Sequence, residues 1–269
     1  MRHRLKKYVS LVKAATIEML QFRQSLIVTF IGNLLYLLLV YYLWKAIFAS
    51  STTPVINGMS FEDTMIYLVF AVAMKNFMEM WVVWGIGRDV QSGQIVVDLL
   101  KPIPYMRWRF FQGVGENVVK FFTTFLPTAV IVFVVAHGAI HIGGNAILFV
   151  ISVAMSLIIN YYIDFCVGLI CIYTESIWGV NIMKVVVVGL LSGETIPIAF
   201  FPESIRQVVL MLPFQTIINT PIELLLHNEY DIATQLQMLG IQVFWLIAMW
   251  CISQWFYSVS IKRITVNGG

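Results

Sequence analysis

Long apolar runs separated by short polar stretches dominate the chain from Leu26 onward. The first run ends at Phe48, and its central part, from Phe30 to Trp44, contains no charged residue. A bilayer core about 30 Å thick is crossed by roughly 20 apolar residues of helix. A surface helix of a soluble protein would instead need one polar face. The pattern therefore predicts a helix that spans a membrane.

Six segments of this kind are predicted, which makes the fold all-α and the chain a polytopic membrane protein. The segments are Leu26–Phe48, Met65–Ile86, Val118–Ala136, Ala146–Ile172, Val180–Phe200 and Leu239–Tyr257. Residues 1–24 are predicted as a separate interfacial helix, and residues 25–269 as one six-helix membrane domain. The loops that remain leave no room for a soluble catalytic domain.

Composition and charge support this assignment. Hydrophobic residues make up 59% and charged residues 12% of the chain, against about 25% charged residues in soluble domains. Basic residues collect before the first segment, between the second and third, and in the C-terminal tail, whereas 49–60 and 137–145 contain no Lys or Arg. The positive-inside rule therefore predicts both termini in the cytoplasm, and an even number of spans agrees. The net charge of +3 bears on orientation and gives no reason to expect nucleic-acid binding.

Apolar residues recur at helical spacing near the N-terminus, on a basic background. They are Leu5, Tyr8, Val9, Val12, Ala15 and Met19. The spacing predicts a basic amphipathic helix over residues 2–24 that lies on the inner leaflet of the plasma membrane. The alternative is a disordered basic leader.

The stretch 88–104, between the second and third segments, mixes apolar and charged residues and ends at Pro102 and Pro104. A short amphipathic helix exposed to the cytoplasm is predicted here. Apolar residues on a cytoplasmic loop suggest docking on a partner protein. The alternative is a helix that rests on the membrane surface.

The connection before the sixth segment is too apolar for a solvated loop and too often broken by proline for a single span. Short helices are predicted over Ser204–Leu212 and about Thr220–His227. Irregular backbone at membrane depth is tolerated only where protein or a cavity covers it. We therefore predict, within residues 201–228, a pair of re-entrant helices that dip into the outer leaflet.

This connection also carries an ordered set of Gly and Pro motifs. They are Ser192-Gly193, Ile196-Pro197, Phe201-Pro202, Leu212-Pro213-Phe214 and Pro221. The set resembles the terminal signature of the ATP-binding-cassette type-2 permease family, in which Gly and Pro end the fifth span. In that family a second Pro begins a re-entrant helix, which a Leu-Pro-Phe motif ends. Lys101-Pro102, with Pro104, resembles the loop of one branch of the family, and the resemblance covers essentially the whole chain.

The resemblance implies a permease, the transmembrane and non-catalytic subunit of an exporter. ATP and Mg²⁺ would bind to a separate cytosolic ATPase, present in two copies, and the permease would pair with a second permease chain, either identical or homologous. No G-x-x-x-x-G-K-[ST] loop occurs in the sequence, so no cofactor is expected in this chain. The few charges in the apolar spans suggest an amphiphilic substrate.

The resemblance also assigns roles to individual residues. It makes the stretch 88–104 a coupling helix that fits a groove of the ATPase. The coupling residues would be Arg88, Asp89, Val96, Asp98, Leu99, Leu100 and Lys101. It places dimer contacts on the fifth span, where Gly189 and Gly193 form a small-xxx-small motif. Packing within the chain would explain these glycines equally well.

Charged residues within the predicted spans are candidates for the translocation path. Lys75 and Glu79 lie four residues apart on the second span and so share a face. Asp164, on the fourth span, lies at a depth similar to that of Glu79. These residues form an ion-pair cluster that locks spans two and four together, or they line the route of the substrate, or they couple transport to proton movement. Glu194, near the outer end of the fifth span, either caps a following helix or lines the exit.

Two smaller motifs have simpler interpretations. Glu116 and Lys120, four apart at the start of the third span, are predicted to form a surface ion pair of little energetic weight. His137 and His141 are also four apart, but neighbouring glycines predict a turn and no third ligand lies nearby. No metal site is therefore expected.

Three other functions compete with that of an exporter subunit. A stand-alone secondary transporter would need discontinuous helices in both halves, and a Pro/Gly-broken segment is evident only in the second half. An intramembrane enzyme would need a facing acid–base pair, for which Asp164 with Glu79 is the only candidate. A membrane scaffold or assembly factor is also compatible with the sequence.

Overall fold

An apolar sequence with few helix breakers produces an almost entirely helical chain. The computed structural model describes residues 2–135, 145–174, 176–227 and 230–264. Within these ranges the helices are α1 (Arg2–Gln21), α2 (Arg23–Ser50), α3 (Phe61–Met78), α4 (Val82–Gln91), α5 (Gln94–Leu99), α6 (Tyr105–Lys120), α7 (Leu126–Val135), α8 (Asn145–Thr174), α9 (Trp178–Leu191), α10 (Glu203–Met211), α11 (Gln215–Leu226) and α12 (Ile232–Ser260). Two antiparallel strands, Val55–Ile56 and Met59–Ser60, form a short hairpin between α2 and α3.

The prediction of an all-α membrane protein is confirmed, but the count of six spans is not. In the described ranges four helices are long and apolar enough to cross a bilayer, and the bent pair α10–α11 would make a fifth. The four are Ile27–Ser50, Phe61–Gln91, Ala146–Thr174 and Ile232–Arg263. Helix α9 has 14 residues, or about 21 Å at 1.5 Å per residue. It is therefore too short to cross the hydrocarbon core alone.

The third predicted span is interrupted by a change of helix type. A π-helical turn, Phe121–Phe125, joins α6 to α7, which ends at Val135. Such turns lose the regular i→i+4 bonding and are common at functional positions. The predicted end of this span and the pair His137 and His141 lie outside the described residues.

Helices α8, α11 and α12 form the centre of the bundle, and a polar ladder joins them. The Gln242 side chain of α12 donates hydrogen bonds to the Thr216 carbonyl at 3.0 Å and to Ser156 Oγ at 2.9 Å. Ser156 in turn donates to the same Thr216 carbonyl at 2.9 Å. Buried polar groups must find such partners where water is excluded. Helix α11 is therefore an interior helix with nearly all of its residues buried.

The pair of short helices before the last span is confirmed, with shifted boundaries. Helices α10 and α11 meet at an angle of 103° across the Leu212–Phe214 break. The second helix begins at Gln215 rather than at Thr220 and carries Pro221 inside it. Pro221 removes one backbone hydrogen bond from the helix interior, and such a loss is tolerated where neighbouring elements cover the helix. The depth of this pair in a membrane stays a prediction.

The helix predicted near the N-terminus is present, but it packs against another helix along part of its length. Thr16 Oγ1 of α1 donates to the Gly115 carbonyl of α6 at 2.9 Å, and the rings of Tyr8 and Phe111 stack at 4.4 Å. A Cβ atom on Gly115 would lie 2.5 Å from the Val12 carbonyl oxygen, so only glycine permits this approach. Helix α1 is therefore anchored to α6, and its position on a leaflet stays a prediction.

The second span has a well-capped N-terminus and is interrupted near its middle. Helix α3 begins with a capping box, in which Ser60 and Asp63 each accept a backbone N–H of the other at 3.1 Å. It ends at Met78, and Glu79 follows in an extended conformation before α4 resumes at Val82. The break leaves backbone groups without helical hydrogen-bond partners and places Glu79 between two cavities.

Candidate functional site

Five charged residues meet between α3, α8 and α9, and we call them the central charged cluster: Lys75, Glu79, Asp164, Lys184 and Glu194. Lys75 Nζ lies 2.7 Å from Glu194 Oε1. Lys184 Nζ lies 2.8 Å from Asp164 Oδ1. The two ion pairs connect α9 and the turn after it to α3 and α8. The cluster therefore ties the short α9 to the longer helices of the bundle.

The four predicted path residues are brought together, but their partners differ from the prediction. Lys75 pairs with Glu194 rather than with Glu79, although the Glu79 N–H still donates to the Lys75 carbonyl at the end of α3. Asp164 pairs with Lys184 rather than with a residue of span two. Ion pairing thus links spans two and four to the fifth segment.

Sequence reasoning missed Lys184, although the signal was present. Lys184 is the only charged residue of α9. A lone lysine in an apolar helix needs a counter-charge, because an unpaired charge at the bilayer centre costs about 2.5–3.5 kcal/mol. Asp164 is likewise the only charged residue of α8. Matching these two isolated opposite charges would have predicted the pair.

Burial is deepest at Asp164, whose side chain is fully enclosed. Its contact with Lys184 is an ion pair, and neither carboxylate oxygen reaches hydrogen-bond geometry with a described group. One helical turn away, Asn160 donates to the Met78 carbonyl at 3.1 Å, which satisfies one group freed by the break after α3. A cavity of about 50 Å³ remains among Lys75, Glu79, Asn160, Lys184 and Glu194. It is too small for a drug-sized ligand.

A glycine turn holds Glu194 in the cluster. Gly193 has a φ of +85°, and a Cβ atom there would lie 2.4 Å from the Tyr67 hydroxyl oxygen. That hydroxyl donates to Asn219 Oδ1 at 3.0 Å. At Gly189 an added Cβ would make only ordinary contacts. Packing within the chain therefore accounts for Gly193, and dimer contacts at Gly189 and Gly193 stay a prediction.

A second cavity, the α1 cavity, lies on the other side of Glu79 and has a volume of about 370 Å³. Helices α1, α2, α3, α4 and α6 all contribute to its wall. The lining residues are Ala15, Glu18, Met19, Phe22, Thr29, Asn76, Glu79, Trp81, Arg88, Gln112, Glu116, Lys120 and Thr124. Glu79 lines both cavities. The break in span two thus separates a small polar space from a large amphipathic one.

The charges of the α1 cavity are not paired with one another. Its five charged residues are Glu18, Glu79, Arg88, Glu116 and Lys120, and among the described residues none has an opposite charge within 4.0 Å. The Lys120 side chain is only 8% exposed and donates to the Glu79 carbonyl. The backbone N–H of Trp81 donates to the Glu116 carboxylate at 3.3 Å. The predicted surface pair of Glu116 with Lys120 is therefore wrong, because both side chains turn to backbone groups of the span-two break.

The predicted coupling segment is a pair of short helices around Gly93, whose φ is +70°. Tyr105 and Arg109 of α6 hold its first half: the Tyr105 hydroxyl donates to Asp89 at 2.6 Å, and Arg109 forms an ion pair with Asp89. Burial and the hydrogen bond to Asp89 raise the pKa of Tyr105 well above its ordinary value, so the hydroxyl stays a donor. The segment is thereby fixed to α6.

The proposed coupling residues divide into buried and exposed groups. Asp98 is buried and pairs with Lys101 at 2.7 Å, and Asp89 is held by α6. Val96 and Leu99 are half-buried against the core. Leu100 is 82% exposed, and Val97, which is not among the predicted coupling residues, is 54% exposed. Arg88 lines the α1 cavity instead. The face free to dock on a partner is therefore centred on Val97 and Leu100.

No metal or cofactor site accompanies these clusters in the described ranges. No group of three or more potential metal-binding side chains converges there. The arrangement offers two things instead: a rigid set of ion pairs inside the bundle and an amphipathic cavity beside it.

Comparison with known proteins adds a family to this picture. A search of curated proteins finds no match to the chain. A family model described as "ABC-2 family transporter protein" matches residues 34–268. The match covers nearly all of the chain, from the first apolar helix to the C-terminal tail. The chain therefore belongs to the ABC-2 family of transporter membrane proteins.

Proposed function

We propose that this chain is the permease subunit of an ABC exporter that moves an amphiphilic substrate out of the cytoplasm. The observation that carries the proposal is the family match over residues 34–268. The sequence contains no phosphate-binding loop, so the proposal assigns ATP and Mg²⁺ to a separate cytosolic ATPase, in two copies. A second permease chain, identical or homologous, completes the transporter in the plasma membrane, with both termini of each chain in the cytoplasm.

The exposed apolar face supports a place for the ATPase. Val97 and Leu100 project from α5 and the turn after it, while the buried Asp98 forms an ion pair with the partly exposed Lys101. Exposed apolar residues on a segment otherwise fixed by polar contacts mark an interaction surface. In the proposal these two side chains enter the ATPase groove.

Force applied at this face would reach the span-two break. Helix α4 (Val82–Gln91) connects the two regions: its C-terminal end belongs to the coupling segment, and its N-terminal end adjoins the break at residues 79–81. The Arg109–Asp89 pair makes α4 move with α6. Closure of two ATPase subunits would therefore shift α4 and α6 as one body against α3, with the extended residues at Glu79 as the hinge. Such a shift changes the shape of the α1 cavity, which borders both helices.

Co-purification and ATPase assays test this function. The chain is reconstituted in liposomes with a nucleotide-binding protein that co-purifies with it, and stimulation of ATP hydrolysis is measured. Leu100→Glu and Val97→Glu should lower stimulation at least about tenfold, because a buried unpaired carboxylate at an interface costs more than 1.4 kcal/mol. Val55→Glu is the matched control, since Val55 is similarly exposed but lies in the distant hairpin.

Three outcomes would contradict the proposal. Unchanged stimulation of ATP hydrolysis in both variants would show that Val97 and Leu100 do not form the contact with the ATPase. Transport by the isolated chain in liposomes without nucleotide would instead support a stand-alone secondary transporter. Accessibility labelling that places the two termini on opposite sides of the membrane would contradict the proposed topology.

A further inference from the structure

The α1 cavity has the size and the mixed wall of a ligand site. Its volume of about 370 Å³ lies within the range of small-molecule sites. Met19, Phe22 and Trp81 supply apolar surface, and Trp81 is 51% exposed. Side chains from five helices form the wall, so the cavity is a property of the fold rather than of one surface loop.

The charges that line the α1 cavity differ from the ion-paired charges elsewhere in the described chain. Lys75, Lys101, Arg109 and Lys184 each have a carboxylate within 4.0 Å. In the α1 cavity no such pair is formed in the described residues, although three carboxylates and two cations line it. Lys120 is more than nine-tenths buried, yet a single hydrogen bond, to the Glu79 carbonyl, engages its ammonium group. Two of its three N–H donors remain for a ligand.

Charges of both signs therefore line the cavity without a direct ion pair and are available to a ligand. An ammonium group would be recognised by Glu18, Glu79 and Glu116, and an anionic group by Lys120 and Arg88. The apolar wall would take a hydrocarbon or aromatic part. From this we infer that the α1 cavity binds a zwitterionic amphiphile, a molecule with an ammonium group, an anionic group and an apolar portion.

The inference rests on the proposed function only for its physiological meaning, since the cavity would then receive the exported substrate. Two sources share the required chemistry: a zwitterionic phospholipid such as phosphatidylethanolamine, and a transported amphiphile such as a short apolar peptide with free termini. The cavity borders the helix that would hinge at Glu79, so occupancy by either one would bear on the same movement.

Binding to the purified full chain tests the inference without any ATPase. The chain is placed in nanodiscs of phosphatidylglycerol and titrated with three probes that share a dodecyl tail: dodecylphosphocholine, dodecyltrimethylammonium and dodecyl phosphate. The zwitterion should bind with a Kd at least about tenfold lower than either single-charge probe, because it alone satisfies both sets of side chains.

Two variants separate the two halves of the site. Lys120→Gln should raise the Kd of the zwitterion about tenfold and leave that of the cation probe unchanged. Glu116→Gln should raise the Kd of the zwitterion and leave that of the anion probe unchanged. Lys45→Gln and Glu62→Gln are the matched controls, because both side chains are exposed and lie outside the cavity. If Lys120→Gln fails to fold, Arg88→Gln replaces it, since Arg88 is exposed.

The outcomes are decisive for the cavity. Equal affinities for the three probes, or variants that weaken all three in parallel, would overturn the inference. The titration is then repeated in nanodiscs with increasing fractions of phosphatidylethanolamine, which distinguishes the two sources. If the Kd of the zwitterionic probe rises with that fraction, the lipid competes for the cavity and is its occupant. If the Kd is unchanged, the lipid is excluded and the transported amphiphile is the remaining source. Because no nucleotide is present, failure of the ATPase experiment and failure of this one are independent.

Discussion

The central charged cluster and the α1 cavity share Glu79 but treat charge in opposite ways. In the cluster, cations and carboxylates from different helices pair at 2.7 and 2.8 Å around a space of about 50 Å³. In the α1 cavity, charges of both signs face about 370 Å³ without a pair in the described residues. Pairing consumes the capacity of a charge to bind a ligand. This contrast is the basis on which we propose a structural role for the cluster and a binding role for the cavity.

Removal of one member of the most buried pair should have the largest effect on stability. Asp164→Asn leaves the Lys184 ammonium buried without a counter-charge, which should lower the free energy of unfolding by about 3 kcal/mol. Thermal unfolding of the purified chain in detergent measures this. Adding Lys184→Met to Asp164→Asn should restore much of the loss. A single variant as stable as the parent would show that the cluster does not lock these helices.

The glycine turn that positions Glu194 should come next. Gly193→Ala forces a side chain onto a residue with φ of +85° and against the Tyr67 hydroxyl. The expected loss is about 2 kcal/mol, from backbone strain and overpacking together. Gly32→Ala is the control, because no atom lies within 4 Å of its added Cβ. A loss in Gly193→Ala no greater than in that control would contradict the intrachain role and favour the dimer contact.

The half-exposed pair of the cluster should matter less. The Lys75 side chain is 41% exposed, whereas that of its partner Glu194 is 9% exposed. Lys75→Gln should therefore lower the free energy of unfolding by about 1 kcal/mol, since solvent reaches one side of the pair. The same thermal measurement, with Lys45→Gln as the control, ranks it against Asp164→Asn. A loss as large as that of Asp164→Asn would mean that both pairs are equally structural.

The smallest loss of stability is expected from the cavity. Lys120→Met removes an unpaired buried ammonium group and one hydrogen bond to the Glu79 carbonyl. The lost hydrogen bond costs about 1 kcal/mol, and relief of the buried charge acts in the opposite direction. The free energy of unfolding should therefore change by no more than about 1 kcal/mol. If the free energy of unfolding fell by more than about 2 kcal/mol, Lys120 would have a structural role like that of the cluster residues, and the two regions would not differ in the way proposed.

Some of these features could be predicted before the structure was known. Hydrophobic periodicity predicted the helical membrane fold, and the prolines around Leu212 predicted the bent pair α10–α11. The partners of Lys75 and Asp164 were not predictable from helical spacing, because both partners, Glu194 and Lys184, lie on other elements of the chain. Lys184 could have been found by seeking a counter-charge for Asp164, since each is isolated in an apolar helix.

The sequence by itself determined that the chain is a helical membrane protein, because long apolar runs cannot be solvated and a backbone in lipid must bond internally. Its Gly and Pro motifs also pointed to the family that the comparison then showed. Only the tertiary structure decided which charges neutralise one another, because an ion pair depends on distances of a few ångströms between helices far apart in sequence. Those distances leave Lys120 unpaired beside a cavity and enclose Asp164 with Lys184.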